Sequence, residues 1–349
     1  MYQLSKTELE LVEKHSSVFL KVLKDCLKVK EENILIITDK GPGKDSNLAL
    51  MLAYGYHYTA QKKKWKSELL VQGVKKGFMQ GEPHVIQAIK NLPENSIIIL
   101  SVSNKLGRFG DKKSFRKFCE DQGHRFVSVS GLGSVKNNYF NLFTEVMGVN
   151  YRRLKKQGEK IKKQWDKAKI IRVTTKAGTD LTFNVEGMNA LCNTGDFFNE
   201  GAGGNVPAGE VYIAPQGNYN VNGKVVIDGS IRHETGSKLL REPVTFEIVE
   251  GRIVAMHGKD VPILERTFQK YENRAKYPGR IRLIGELGIG INPVAVLMGL
   301  AIMDEKVHGT AHIGVGSNYW FGGSIRTIFH GDMVFKDPTF YIDGKELKL

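Results

Sequence analysis

The last quarter of the sequence gathers residues able to hold a metal ion: Glu286 within Gly285-Glu286-Leu287-Gly288-Ile289-Gly290, then His312, then His330 and Asp332. In His330-x-Asp332 the side chains are two residues apart, so on an extended strand both point to one face and can grip one ion. Imidazole plus carboxylate suits zinc, manganese, cobalt or ferrous iron and argues against a structural thiolate site. Glu210 adds a fifth group at the start of the apolar run Val211-Tyr212-Ile213-Ala214. A glutamate on an apolar strand is costly unless it is paired, hydrogen-bonded or bound to metal. Singly, each such acid is more often an ordinary structural or exposed group. Together the five ligands exceed what one catalytic zinc usually takes from protein, and they point to a pair of ions. Two ions about 3.5–4 Å apart can share a hydroxide nucleophile and polarise a carbonyl, which is hydrolase chemistry.

Other constellations carry less. Gly41-Pro42-Gly43-Lys44 follows a strand and precedes a helix, but it lacks the GxxxxGK spacing of a phosphate loop and reads as a plain turn. Cys192 has no evident base beside it, and no Gly-x-Ser-x-Gly elbow is present. His308 stands four residues before His312, the spacing of a helical ligand pair.

The elements that must position these groups fall into two textures. In the first half, apolar runs at 33–38, 96–102 and 125–129 alternate with helical stretches at 46–61 and 83–91, which predicts a mainly parallel sheet with helices packed on it. Residues 151–168 are highly charged with one narrow apolar stripe, interrupted at Gly158. Beyond them the texture is β-rich. A hairpin is expected around Lys176-Ala177-Gly178-Thr179, further strands at 210–214, 224–228, 243–249 and 252–256, and one helix at 293–303. The fold class is therefore α/β plus β-rich, with an N-terminal α/β domain at 1–165 and a C-terminal metal-binding, catalytic domain at 166–349.

Composition sets the surroundings. A chain of 349 residues is long for one core. Its three cysteines, Cys26, Cys119 and Cys192, form no CxxC pair, which fits a reducing compartment. The polar N-terminus does not read as a signal peptide, and no apolar run reaches the roughly 18 residues of a membrane span. A soluble cytoplasmic protein is expected. The net charge of +14 lies wholly in residues 1–165, which hold 30 basic against 16 acidic side chains, while residues 166–349 hold 21 of each. Without interleaved aromatics the surplus reads as a solvated lysine-rich surface rather than a nucleic-acid platform.

Six motifs in order carry a resemblance. AGTDLTF at 177–183, PAGEVYIAP at 207–215, VIDGS at 226–230, GELGIGINP at 285–293, DEKVHGTAHIGVG at 304–316 and HGDMVF at 330–335 resemble the catalytic domain of the thermophilic metallo-aminopeptidases of the aminopeptidase T and aminopeptidase S type, which are leucyl aminopeptidase-like. The resemblance implies two divalent ions (zinc, cobalt or manganese) on Glu210, Glu286, His312, His330 and Asp332. It also implies catalytic roles for Glu286 and Tyr319, a small peptide substrate and a homodimer; it does not use His308. The chain departs from the family in having only ten residues between Tyr319 and His330. A relative of the family, the 2,5-dihydroxypyridine dioxygenases, binds one ferrous ion, and His312, His330 and Asp332 would satisfy a two-histidine, one-carboxylate iron site. The leading expectation is an aminopeptidase acting through a metal-bound hydroxide. The alternative is a mononuclear ferrous ring-cleaving dioxygenase, and a third reading is a non-catalytic binding protein on the same fold.

Overall fold

The computed structural model describes residues 4–110 and 114–348. The chain divides into two compact units, residues 1–151 with 195–208, and residues 152–194 with 209–349.

In the first unit the expected apolar runs form strands β1 (Ile34–Asp39), β3 (Ile97–Ser101) and β4 (Arg125–Val129), joined by β2 (Ser67–Gln72). All pair in parallel, in the order β2-β1-β3-β4, and the short strand Gly203–Asn205 completes the edge. Every residue of β1 and β3 is buried, as a sheet covered on both faces requires. The cover comes from α1 (Leu48–Lys62) and α2 (Pro83–Asn91). Val85 and Ile89 of α2 sit in one apolar cluster with Leu35, Ile37, Ile98 and Leu100. Gly41 stands at φ +69° and its N–H donates to Asp39 Oδ1 at 3.0 Å, so this loop is the turn its glycine spacing suggested.

Helix α3 (Tyr151–Trp165) belongs almost wholly to the second unit. Its Trp165 ring packs 5.7 Å from Phe340. Gly158 lets the helix pack closely, since a Cβ there would lie 2.7 Å from Thr194 Cγ2. These contacts put the break between units ahead of Arg152 rather than at the expected 165/166, and residues 195–208 return to the first unit.

The second unit holds two seven-stranded sheets. One contains the expected hairpin, Ile170–Thr174 against Asp180–Asn184, together with Val221–Ile227, Val244–Val249 and Arg252–His257. Burial alternates along Val244–Val249, the signature of a sheet with one face on the core. The other carries β5 (Glu210–Ile213), β6 (Ile284–Gly290), β7 (Thr310–Gly316) and β8 (His330–Lys336), antiparallel neighbours in the order β8-β7-β6-β5. Every residue of β6 and β7 is buried.

The helix expected at 293–303 does not form; only Ala301–Asp304 is helical. Asn292 Oδ1 instead accepts from the N–H groups of Val294 and Ala295, Asp304 Oδ1 accepts from Met298 N–H, and Gly299 stands at φ +77°. Side chains that capture backbone donors compete with helix formation. Among the described residues no helix is long and apolar enough to cross a membrane.

Candidate metal centre

Strands β5 to β8 bring the five expected groups to one face, and the register explains the glycines between them. Glu286 lies opposite Gly314, which lies opposite Asp332; His312 lies opposite Gly288, His330 opposite Gly316 and Glu210 opposite Gly290. Each candidate ligand thus has a glycine as a cross-strand neighbour. The missing side chains leave the space that the ligands fill. A Cβ on Gly288 would lie 2.0 Å from His312 Nε2, and one on Gly314 would lie 2.7 Å from Glu286 Cβ and 2.9 Å from His330 Cε1.

Glu286 is the hub. Its Oε1 lies 3.3 Å from His312 Nε2 and its Oε2 lies 3.6 Å from His330 Nε2. His330 Nε2 is also 3.1 Å from Asp332 Oδ1. His330 Nδ1–H donates to the Ser317 carbonyl at 2.8 Å, which fixes the ring and turns Nε2 toward the carboxylates. Candidate ligand atoms of Glu286, His330 and Asp332 all lie within 4.8 Å of one another. This compact triad has one histidine and two carboxylates, not the two-histidine set of His312, His330 and Asp332. His312 stands beside it, fully buried, with its Nδ1 lacking a hydrogen-bond partner among the described residues. Converging carboxylate and imidazole donors on a glycine-cleared face fit a divalent cation.

The electrostatics fit the same assignment. Burial, with Asp332 adding to it, raises the Glu286 carboxyl above its usual range. Burial works against charge on His330, yet Asp332 and Glu286 outweigh it and push its imidazolium up to about 10. Burial would likewise raise Asp332, but His330 holds that carboxyl well below the usual range. A divalent ion would replace the imidazolium proton as the positive charge.

Glu210 is placed differently. Its Oε1 is engaged by the ammonium of Lys306 and accepts from Asn193 Nδ2 at 3.3 Å, while its Oε2 lies 3.8 Å from His312 Nε2. Lys306 is fully buried and also pairs with Glu305, whose carboxyl is raised well above its usual range by burial. Neither Glu305 nor Lys306 stands out in sequence, because lysine and glutamate are usually exposed.

The aromatic turn Tyr319–Phe321 lies beside the triad. Trp320, not Tyr319, meets it, with its ring 4.8 Å from that of His330. Tyr319 is 55% exposed and lies under the Arg326 guanidinium at 4.2 Å. Buried Asn318 pins the turn, donating from Nδ2 to the Gly285 carbonyl at 2.9 Å and accepting from Ile325 N–H at 2.8 Å. His308 is exposed on a turn.

Fold and site together define a metal-dependent enzyme. Residues 145–348 match the sequence profile of the NicX family, 2,5-dihydroxypyridine 5,6-dioxygenase. The chain belongs to this family. The structure is similar to that of 2,5-dihydroxypyridine dioxygenase from Pseudomonas putida, with a TM-score of 0.75 and 16% identity, covering 97% of this chain and 96% of that one. It is similar also to wild-type AmpT from Thermus thermophilus, with a TM-score of 0.67 and 13% identity, covering 97% of each chain. Among curated proteins none matches at a significant level. The resemblance to the aminopeptidase T type therefore holds for the fold, whereas the family is that of the dioxygenases.

Proposed function

We propose that this protein is an oxygen-dependent enzyme that opens a planar, electron-rich aromatic ring, using a divalent metal held by Glu286, His330 and Asp332. Family membership over residues 145–348 carries the reading. The site supports it in two ways. Glu286, His330 and Asp332 offer ligand atoms within 4.8 Å of one another, enough protein donors for a single ion. Trp320, 53% exposed with its ring against that of His330, offers a flat apolar wall on which a ring can lie. A ferrous ion there would supply the one-electron chemistry that couples dioxygen to an aromatic substrate.

The protein's own residues hold and shape that site. The Ser317 carbonyl keeps the proton of His330 on Nδ1 and its Nε2 on the metal side. Glu286 spans His312 and His330, so its carboxylate sets the separation of the two imidazoles. Asn318 ties the aromatic turn to the strand carrying Glu286, coupling the ring-binding wall to the ligands.

The test is a paired assay. Protein reconstituted with ferrous iron without air and then given oxygen and 2,5-dihydroxypyridine is expected to consume both. Cobalt, manganese or zinc protein is expected to leave unblocked di- and tripeptides intact. Peptide cleavage without oxygen uptake would restore the aminopeptidase reading.

A further inference from the structure

We infer that Arg326 reads a carboxylate on the ring substrate, so that this chain prefers a hydroxylated aromatic acid to an uncharged ring. The inference rests on the ring-opening reading of the site and names its substrate class. The Arg326 guanidinium lies 4.2 Å above the Tyr319 ring, and among the described residues no carboxylate pairs with it. Other arginines of this unit do hold carboxylates: Arg172 meets Asp180 at 2.6 Å, and Arg282 meets both Glu265 and Glu272. The acids of the metal centre are already engaged, Glu286 and Asp332 with histidines and Glu210 with Lys306. Arg326 is therefore available to a carboxylate from outside the protein.

The backbone holds this guanidinium beside the aromatic wall. Asn318 N–H donates to the Ile325 carbonyl at 3.1 Å, and Asn318 Oδ1 accepts from Ile325 N–H at 2.8 Å. The double tie brings together the residues that follow each partner, Tyr319 and Arg326. Gly322 at φ +94°, and Gly323, where a Cβ would lie 2.0 Å from Asn318 Cγ, let the chain wrap that tightly. Ser324 Oγ donates to Asn218 Oδ1 at 2.7 Å and fixes the far side of the loop. Trp320, which meets His330, directly follows Tyr319. Consecutive Cα atoms lie about 3.8 Å apart, so a substituent on a ring resting against Trp320 comes within reach of the Arg326 side chain. An arginine stacked on an aromatic is pre-organised, and its planar fork matches a carboxylate in bidentate fashion.

The experiment compares oxygen uptake by ferrous protein on 2,5-dihydroxypyridine and on its derivatives carrying a carboxylate at C3 or at C4. One of the two acids is expected to show a KM about tenfold below that of the uncharged ring, the order of a charge-assisted hydrogen bond. Arg326→Gln is expected to fold, the side chain being exposed, and to abolish that preference. Arg280→Gln removes an arginine stacked likewise on Tyr277 at 4.6 Å, and it is expected to keep the preference. Wild-type protein that prefers neither acid would overturn the inference. So would a preference that survives Arg326→Gln, or one that Arg280→Gln removes equally. Oxygen uptake with none of these rings would overturn the ring-opening reading itself, an outcome distinct from uptake without preference.

Discussion

Gly288 and His312 face each other across β6 and β7, so close that a Cβ on the glycine would lie 2.0 Å from the imidazole Nε2. The glycine-rich strand is thus the complement of the candidate ligands, its small residues leaving the space those side chains fill. Gly288→Ala should fold, because the ring can swing aside, but it should displace His312 from Glu286. We expect apparent metal affinity to fall about 10–100-fold, the usual cost of disturbing a ligand's support. Calorimetric metal titration beside circular dichroism checks this; unchanged affinity with an intact fold would detach His312 from the metal centre.

Glu286→Gln tests the hub. The carboxylate bridges two histidines and is buried, with its carboxyl raised above the usual range. Removing its charge should lower metal affinity by at least the same 10–100-fold while the metal-free protein keeps its thermal midpoint. Loss of the fold with metal content preserved would make Glu286 a structural acid.

Proton release gives an independent reading. In the metal-free protein Asp332 and Glu286 push His330 up to about 10 against the effect of burial, so it carries a proton at neutral pH that a metal must expel. Affinity should rise about tenfold per pH unit for each proton displaced, up to pH 10. The folded-state value lies above that of an unfolded histidine. Its stabilising contribution is therefore complete below about pH 6.5 and is lost as pH climbs through 10. Titrations in buffers of different ionisation enthalpy measure the protons released, and an affinity flat between about pH 7 and 9 would contradict the assignment.

Asn318 should behave as a latch. Its buried amide bonds both Gly285 and Ile325, so Asn318→Ala breaks two hydrogen bonds and leaves buried backbone groups unpaired, at about 1–3 kcal/mol each. Faster proteolysis within residues 319–329 is expected, with ring-substrate affinity reduced more than metal affinity. Equal losses of both would mean that the turn supports the whole sheet rather than the wall.

How much of this was legible in the sequence depended on periodicity and on company. Apolar runs such as 33–38 gave strands because a doubly covered sheet demands unbroken hydrophobicity, and His330-x-Asp332 was readable because strand spacing puts both on one face. The helix expected at 293–303 failed because Asn292 and Asp304 capture backbone donors, a local competition that apolar content does not reveal. The burial of Lys306 and Glu305 was not legible for a different reason: it depends on the ion pair of Lys306 with Glu210, which is distant in sequence. Tyr319 drew notice through family resemblance, whereas Trp320 meets His330, a distinction that only the turn's geometry could make.

The central claim is tested most directly by isotope labelling. Ferrous protein turning over 2,5-dihydroxypyridine under oxygen-18 gas should place both labelled atoms in one ring-opened product, with one oxygen molecule consumed per substrate. Absence of label and of oxygen uptake in fully iron-loaded protein, with free amino acids released from unblocked peptides by the cobalt or zinc form, would contradict the account.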